Sequence, residues 1–160
     1  MFLAQMLFLL CLFGQRDIPK DTVITLERTE CYGTCPSYKL SILANGEVVF
    51  VGERNVKRVG KVKGRINQDH LKQLLAEFER INYFSLKDDY GMSGGFGPLP
   101  TEECPEMWTD HPAAYTSLTV NAKTKRIAHY HGCKGNEAAE KLTRLENRID
   151  EIAKTGRWVK

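Results

Sequence analysis

A chain of 160 residues with 42% hydrophobic content is long enough for one domain with a real core and too short for two comfortable ones. That content excludes general disorder, and a net charge of only +3 excludes a nucleic-acid-binding composition for the chain as a whole. Charge becomes informative only when it is mapped locally.

The N-terminal stretch MFLAQMLFLLCLFG is almost unbroken apolar sequence ending at Gln15-Arg16-Asp17. It is too short to span a bilayer and fits the apolar heart of a secretory signal. Residues 1–20 are therefore read as a signal peptide or N-terminal apolar segment, and 21–160 as a single domain. No Lys or Arg precedes the run, and Leu12 and Gly14 make an imperfect cleavage site. Lipidation at Cys11 is disfavoured by the large Leu10 before it. Once Cys11 leaves with the signal, Cys31, Cys35, Cys104 and Cys133 remain, and an even number in an exported chain points to a disulfide framework with three pairings open.

DTVITLERTE, residues 21–30, mixes β-branched and polar residues and reads as a first strand. After the cysteine turn, SYKLSILA and EVVFV flank Asn45-Gly46, whose two positive φ values suit a type I′ hairpin turn. Counting outward from that turn puts Ala44 opposite Glu47, Ile42 opposite Val49 and Leu40 opposite Val51 on one face, with Leu43, Val48 and Phe50 on the other. Both faces are partly apolar, so one packs on helices and the other is covered by a loop or a partner. RNVKRVGKVKGR, residues 54–65, is cationic without an acid and is interrupted by Gly60 and Gly64, a broken or bulged strand suited to guarding a sheet edge. No aromatics are interleaved to stack bases, so no nucleic-acid partner is expected.

Asn67 is placed to cap a helix whose Leu71, Leu74, Leu75, Phe78 and Ile81 form one apolar stripe. Lys87 to Pro112 then runs without periodicity through Gly91, Gly94, Gly95, Gly97, Pro98 and Pro100. This long Gly/Pro-rich loop, at about 87–112, carries Asp88, Asp89, Glu102, Glu103, Glu106 and Asp110 and could dock across the cationic segment. YTSLTV and KRIAHYH, joined through Asn121-Ala122-Lys123-Thr124, make a second hairpin. A second helix runs from about Asn136 to Lys154, with Gly156 placed to cap it and Trp158 anchoring the end. The sum is an α+β domain: a mainly antiparallel sheet of about five to six strands with two helices packed on one face.

Cys31 and Cys35 close a three-residue loop between antiparallel strands, near the usual disulfide separation, and are read as a structural disulfide that holds the turn. Strand alternation places His129, His131 and Cys133 on one face. Together with Cys31 and Cys35 they have a zinc or copper inventory, and a metal-binding protein using that set is the alternative reading. C-x3-C-P with a distant histidine is similar to the copper site of Sco-type chaperones, where the motif opens a helix; here a strand follows. No hydrolase elbow, zinc helix or phosphate loop is present, so no catalytic residue, resident metal or cofactor is assigned and a non-enzymatic reading is favoured.

ITLERTECYGTCPSYKLSILANGEVVFVGE, FSLKDDY, TDHPAAYTSLTVNAKTKRIAHYHGC, LENRID and the closing RWV together resemble an uncharacterised bacterial domain family, domain of unknown function 6438. R-x-x-C-Y-G-x-C-P-x-Y is the most specific part, and the likeness covers roughly Val23 to Val159. The resemblance implies a small exported, periplasmic or envelope-associated domain and transfers no activity. The expectation is an exported binding or structural module, stabilised by disulfide, with an unknown protein or envelope ligand as partner and membrane association only through the N-terminal segment.

Overall fold

The computed structural model describes residues 17–92 and 100–160. The apolar N-terminal run with Cys11, and the glycine-rich middle of the acidic loop, lie outside the described residues. In chain order the elements are β1 (Val23–Arg28), β2 (Ser37–Leu43), β3 (Glu47–Arg54), β4 (Gly60–Arg65), α1 (Gln68–Arg80), a short 3-10 turn (Tyr83–Ser85), β5 (Asp89–Tyr90), β6 (Glu106–Met107), β7 (Ala113–Val120), β8 (Lys123–Tyr130), β9 (Cys133–Lys134), α2 (Glu137–Ala153) and α3 (Gly156–Val159).

Seven strands form one sheet in the order β4-β3-β2-β1-β7-β8-β5, antiparallel except where β5 joins β8 in parallel, and β6 pairs with β9 separately. The fold is α+β, with the short β5 as an addition to the strands read from sequence. Alternate residues of the central strands, Ile24, Leu26, Leu40, Ile42, Val48 and Phe50, are buried in one core with Leu71, Leu74 and Phe78 of α1 and Leu142, Leu145 and Ile149 of α2. Both main helices thus lie on one face, held by the apolar stripes that 3.6-residue periodicity puts on one side of each. The other face carries polar side chains, including Thr25 hydrogen-bonded to Ser117 and cross-strand ion pairs of Lys39 with Glu53 and Lys63 with Glu47.

The first hairpin corrects the expected register. Leu40 faces Phe50 and Ile42 faces Val48, one residue away from the count made from Asn45-Gly46. Gly46 donates to the Leu43 carbonyl and has φ +80°, whereas Asn45 keeps a negative φ. The loop is a three-residue turn, Ala44-Asn45-Gly46, with only its last residue in the left-handed region. The extra residue moves Val48 and Phe50 onto the core face alongside Leu40 and Ile42, because a one-residue shift exchanges the faces of a strand. The type I′ geometry belongs instead to the second hairpin, where Asn121 and Ala122 have φ of 51° and 60° and Val120 faces Lys123. The Asp21 carboxylate accepts from both of their N–H groups, at 3.2 and 2.6 Å, and so holds an alanine in a conformation that favours glycine.

Other details differ in the same local way. β4 is a continuous strand paired with Glu47 to Gly52 of β3, since Gly60, Val62 and Gly64 turn toward the core side and Lys61, Lys63 and Arg65 toward the open face. It forms one edge of the sheet and β5 the other, so the acidic loop does not dock across it among the described residues; Asp88 pairs with Lys125 and Glu103 with Lys87 instead. α1 starts as expected, with the Asn67 side chain accepting from the His70 N–H. α2 ends at Lys154, which takes the left-handed cap conformation, and Gly156 opens α3 rather than capping α2. Trp158 is buried against Phe50, ring centres 5.0 Å apart, and its carbonyl accepts from Arg58 N–H.

Candidate functional site

The polar residues at the end of the sheet where β1 finishes and β2 begins are unusual for a core. Arg28 closes β1, Tyr38 lies near the start of β2, His129 is near the end of β8 and His131 just beyond it. Glu146 and Asp150 are one turn apart on α2, a spacing that presents both carboxylates to the same neighbours. Glu146 is fully buried and His129 is 2% exposed, so the sheet face has brought a carboxylate and imidazoles into the core side by side.

Glu146 accepts one hydrogen bond on each oxygen, from His129 Nδ1 at 2.8 Å and from His131 Nε2 at 2.7 Å. The donor assignment follows from the ionised carboxylate, which can only accept. Arg28 Nη1 adds a longer contact of 3.4 Å to Glu146. Its main partner is Asp150, reached by Nε at 3.1 Å and Nη2 at 2.9 Å, while Nη2 also donates to Asn147. Asp150 further accepts from Tyr38 Oη at 2.6 Å and Thr155 Oγ1 at 2.9 Å. The two imidazole rings lie 4.8 Å apart.

Burial works to raise the Glu146 carboxyl, but the hydrogen bonds and charge of His129 and His131 overcome it and hold that group at about 2. Burial opposes the charge of Arg28 as well, and Asp150 with Glu146 more than restores it. Tyr38 is pushed well above the ordinary phenol range by burial, then by the neighbouring Asp150 carboxylate, so it is a neutral donor. Each nitrogen of Arg28 reaches an internal carboxylate. The guanidinium is therefore a structural cation and is poorly suited to seizing an anionic ligand.

A cleft of about 520 Å³ opens onto this network, with Arg28, Tyr38, His131, Asn147 and Asp150 on its floor and Cys35 with Pro36 on one lip. That lip belongs to the loop closed by Cys31 and Cys35, which stand at disulfide geometry with Cα atoms 5.5 Å apart. Asn55 donates to the Cys35 carbonyl and Arg54 pairs with Glu30, tying the loop to the β3–β4 turn. Tyr32 at its tip is 91% exposed. Cys104 and Cys133 form the second pair, with Cα atoms 5.3 Å apart.

Of the proposed ligand set, the structure brings His129 and His131 together and leaves the cysteines out. Cys133 lies past the end of β8, in β9, and its sulfur is taken by Cys104; Cys31 and Cys35 are taken by each other. The sequence reading missed Arg28, Glu146 and Asp150. A partial signal was present: Glu146 sits among Leu142, Leu145 and Ile149 on the apolar face of α2, where an acid requires a partner.

No curated protein matches the chain. Residues 22–153, which include all of β1 through α2, match the family described as Domain of unknown function (DUF6438). That stretch takes in the disulfide loop, the histidine pair and both carboxylates of α2, and the chain belongs to that family.

Proposed function

We propose that the protein is a non-enzymatic binding module that works outside the reducing cytoplasm, and that it binds its partner through the cleft beside the Cys31–Cys35 loop. One observation carries this reading: an almost fully exposed tyrosine, Tyr32, is held on a loop closed by two cysteines, and the Cys35 end of that loop lines a cleft. A rigid amphipathic aromatic loses little entropy on binding, and tyrosine is enriched where interfaces concentrate their energy. The two cysteine pairs suit an oxidising compartment, and the apolar N-terminal run suits export. Arg28, Tyr38, Glu146 and Asp150 satisfy one another, which gives the cleft a rigid floor in place of an activated nucleophile or base.

The test has two parts. Expressed with its own N-terminus in a secretion-competent host, the chain is expected in the oxidising compartment, shortened by the apolar run and two hydrogens lighter for each cysteine pair; an uncut, reduced chain in the cytoplasm contradicts the export reading. In solution, amide shifts recorded against a library of short peptides, sugars and small carboxylates should cluster at Thr29–Tyr38, His131 and Asn147–Lys160, and Tyr32→Ala should weaken that response. Turnover of any library member, or responses confined to another surface, removes the proposal.

A further inference from the structure

The triangle of His129, His131 and Glu146 has a chemical capacity that a binding cleft does not require. The three side chains offer two imidazole nitrogens and a carboxylate oxygen, all within 4.8 Å of one another. A tetrahedral ion with ligand bonds of about 2.0–2.2 Å spaces its donors about 3.4 Å apart, so side-chain adjustments on the order of an ångström would bring these three into range. His129 is fixed by β8, Glu146 by α2, and His131 by the backbone bond from its N–H to the Pro112 carbonyl. The donors therefore come from the end of β8 and from α2, two elements packed into one core, as a preformed site needs.

Charge points the same way. Arg28 is a fixed cation facing two carboxylates, Glu146 and Asp150, so the second negative charge of this largely buried cluster is balanced only from the imidazole side, where a metal ion can take up that role. Arg28 does not block such an ion, because it holds Asp150 through Nε and Nη2 and reaches Glu146 only at 3.4 Å. It can keep the first partner and give up the second. His131, 19% exposed in its side chain, is the member of the triangle that opens to the cleft and supplies the access route.

We infer that His129, His131 and Glu146 form a site for a borderline divalent ion of the Zn²⁺ class, reached through the cleft. Two imidazoles and one carboxylate favour such ions over Ca²⁺ or Mg²⁺, which take oxygen ligands. Each imidazole binds through the nitrogen that now faces Glu146, its N–H moving to the far ring nitrogen, and any surplus proton passes to solvent. A fourth position faces the cleft, open to water or to a donor atom of whatever the cleft holds. The inference stands independently of the identity of that occupant.

The experiment titrates Zn²⁺ into the full chain, stripped with chelator and alkylated without reduction so that Cys11 cannot compete, and follows it by calorimetry and native mass spectrometry. One ion per chain is expected, with binding weakened more than about tenfold by His131→Ala or Glu146→Gln and unchanged by His70→Ala or His111→Ala. Should Glu146→Gln not fold, imidazole ¹⁵N shifts of the wild-type chain decide the matter. Zn²⁺ should move His129 and His131 alone. Absence of stoichiometric uptake, binding that survives His131→Ala, or shifts at His70 or His111 overturns the inference, and none of these results touches the cleft proposal.

Discussion

Arg28 is the residue on which the buried network turns. It faces two carboxylates, Glu146 and Asp150, that would otherwise sit beside one another on α2 with no fixed cation. Truncating it to leucine leaves both without that partner, and the cost should be about 3–5 kcal/mol, measured as a fall in the urea midpoint. Tyr38→Phe removes one neutral donor from Asp150, which retains Arg28 and Thr155, so the loss should be smaller, about 1.5 kcal/mol. Equal losses for the two variants would mean that Asp150, and not the cation, organises the cluster. Glu146 also gives stability a pH dependence. Its folded carboxyl titrates near 2 against an unfolded value near 4.5, so its contribution is complete above about pH 4.5 and is lost as pH falls toward 2. The full loss should be about 3 kcal/mol in protein kept metal-free with chelator, of which about 2 kcal/mol falls between pH 6 and pH 3. Denaturation at pH 3 and pH 6 checks this, and Glu146→Gln should flatten that acid limb.

At the scale of elements, the two hairpins show how a turn selects what a strand buries. Gly46 sets a three-residue loop that puts Val48 and Phe50 in the core. Asn121-Ala122 is the tighter, two-residue turn, and Ala122 occupies a left-handed conformation at φ 60°. Ala122→Gly should therefore stabilise the protein by about 0.5–1 kcal/mol, the relief of that strain exceeding the added freedom of the unfolded chain. A thermal melt reads the change directly, and a lower midpoint would show that the two hydrogen bonds accepted by Asp21 already remove the strain. The legibility of these elements follows from their locality. Asn67 and the Leu71-Leu74-Phe78 stripe describe α1 within a single window of sequence. The register expected for the first hairpin differs from the observed one by one residue because Asn45-Gly46 is compatible with both loop lengths, and only the helices packed on the sheet choose between them.

The whole molecule is tied by two cysteine pairs of different reach. Cys31 and Cys35 are separated by 4 positions and Cys104 and Cys133 by 29. Chain-entropy arguments assign about 2 kcal/mol to the short loop and about 3.6 kcal/mol to the long one. Replacing Cys104 and Cys133 together by alanine should lower the urea midpoint more than replacing Cys31 and Cys35. The opposite order would show that the short loop, through Asn55 and Glu30, secures more of the fold than its length implies. Cys104 is fully buried and Cys133 nearly so, whereas Cys31 and Cys35 are partly exposed. Mild reductant should accordingly open the cleft-lip pair first, with the core intact.

The candidate site marks the boundary between what order along the chain can convey and what it cannot. His129 and His131 are two residues apart, so their proximity could be read from strand alternation. Their partner Glu146 is 15 residues from His131 and Arg28 is 103 away, and no local rule connects the segments. By itself the sequence determined the α+β class, the cap and stripe of α1, the cysteine loop and the cationic strand, because each follows from neighbouring residues and the backbone's two periodicities. Only the tertiary structure decided the hairpin register, the pairing of Cys104 with Cys133 and the assembly of the buried charges. Those are set by which surfaces exclude water together, a property of the packed chain that no short window contains.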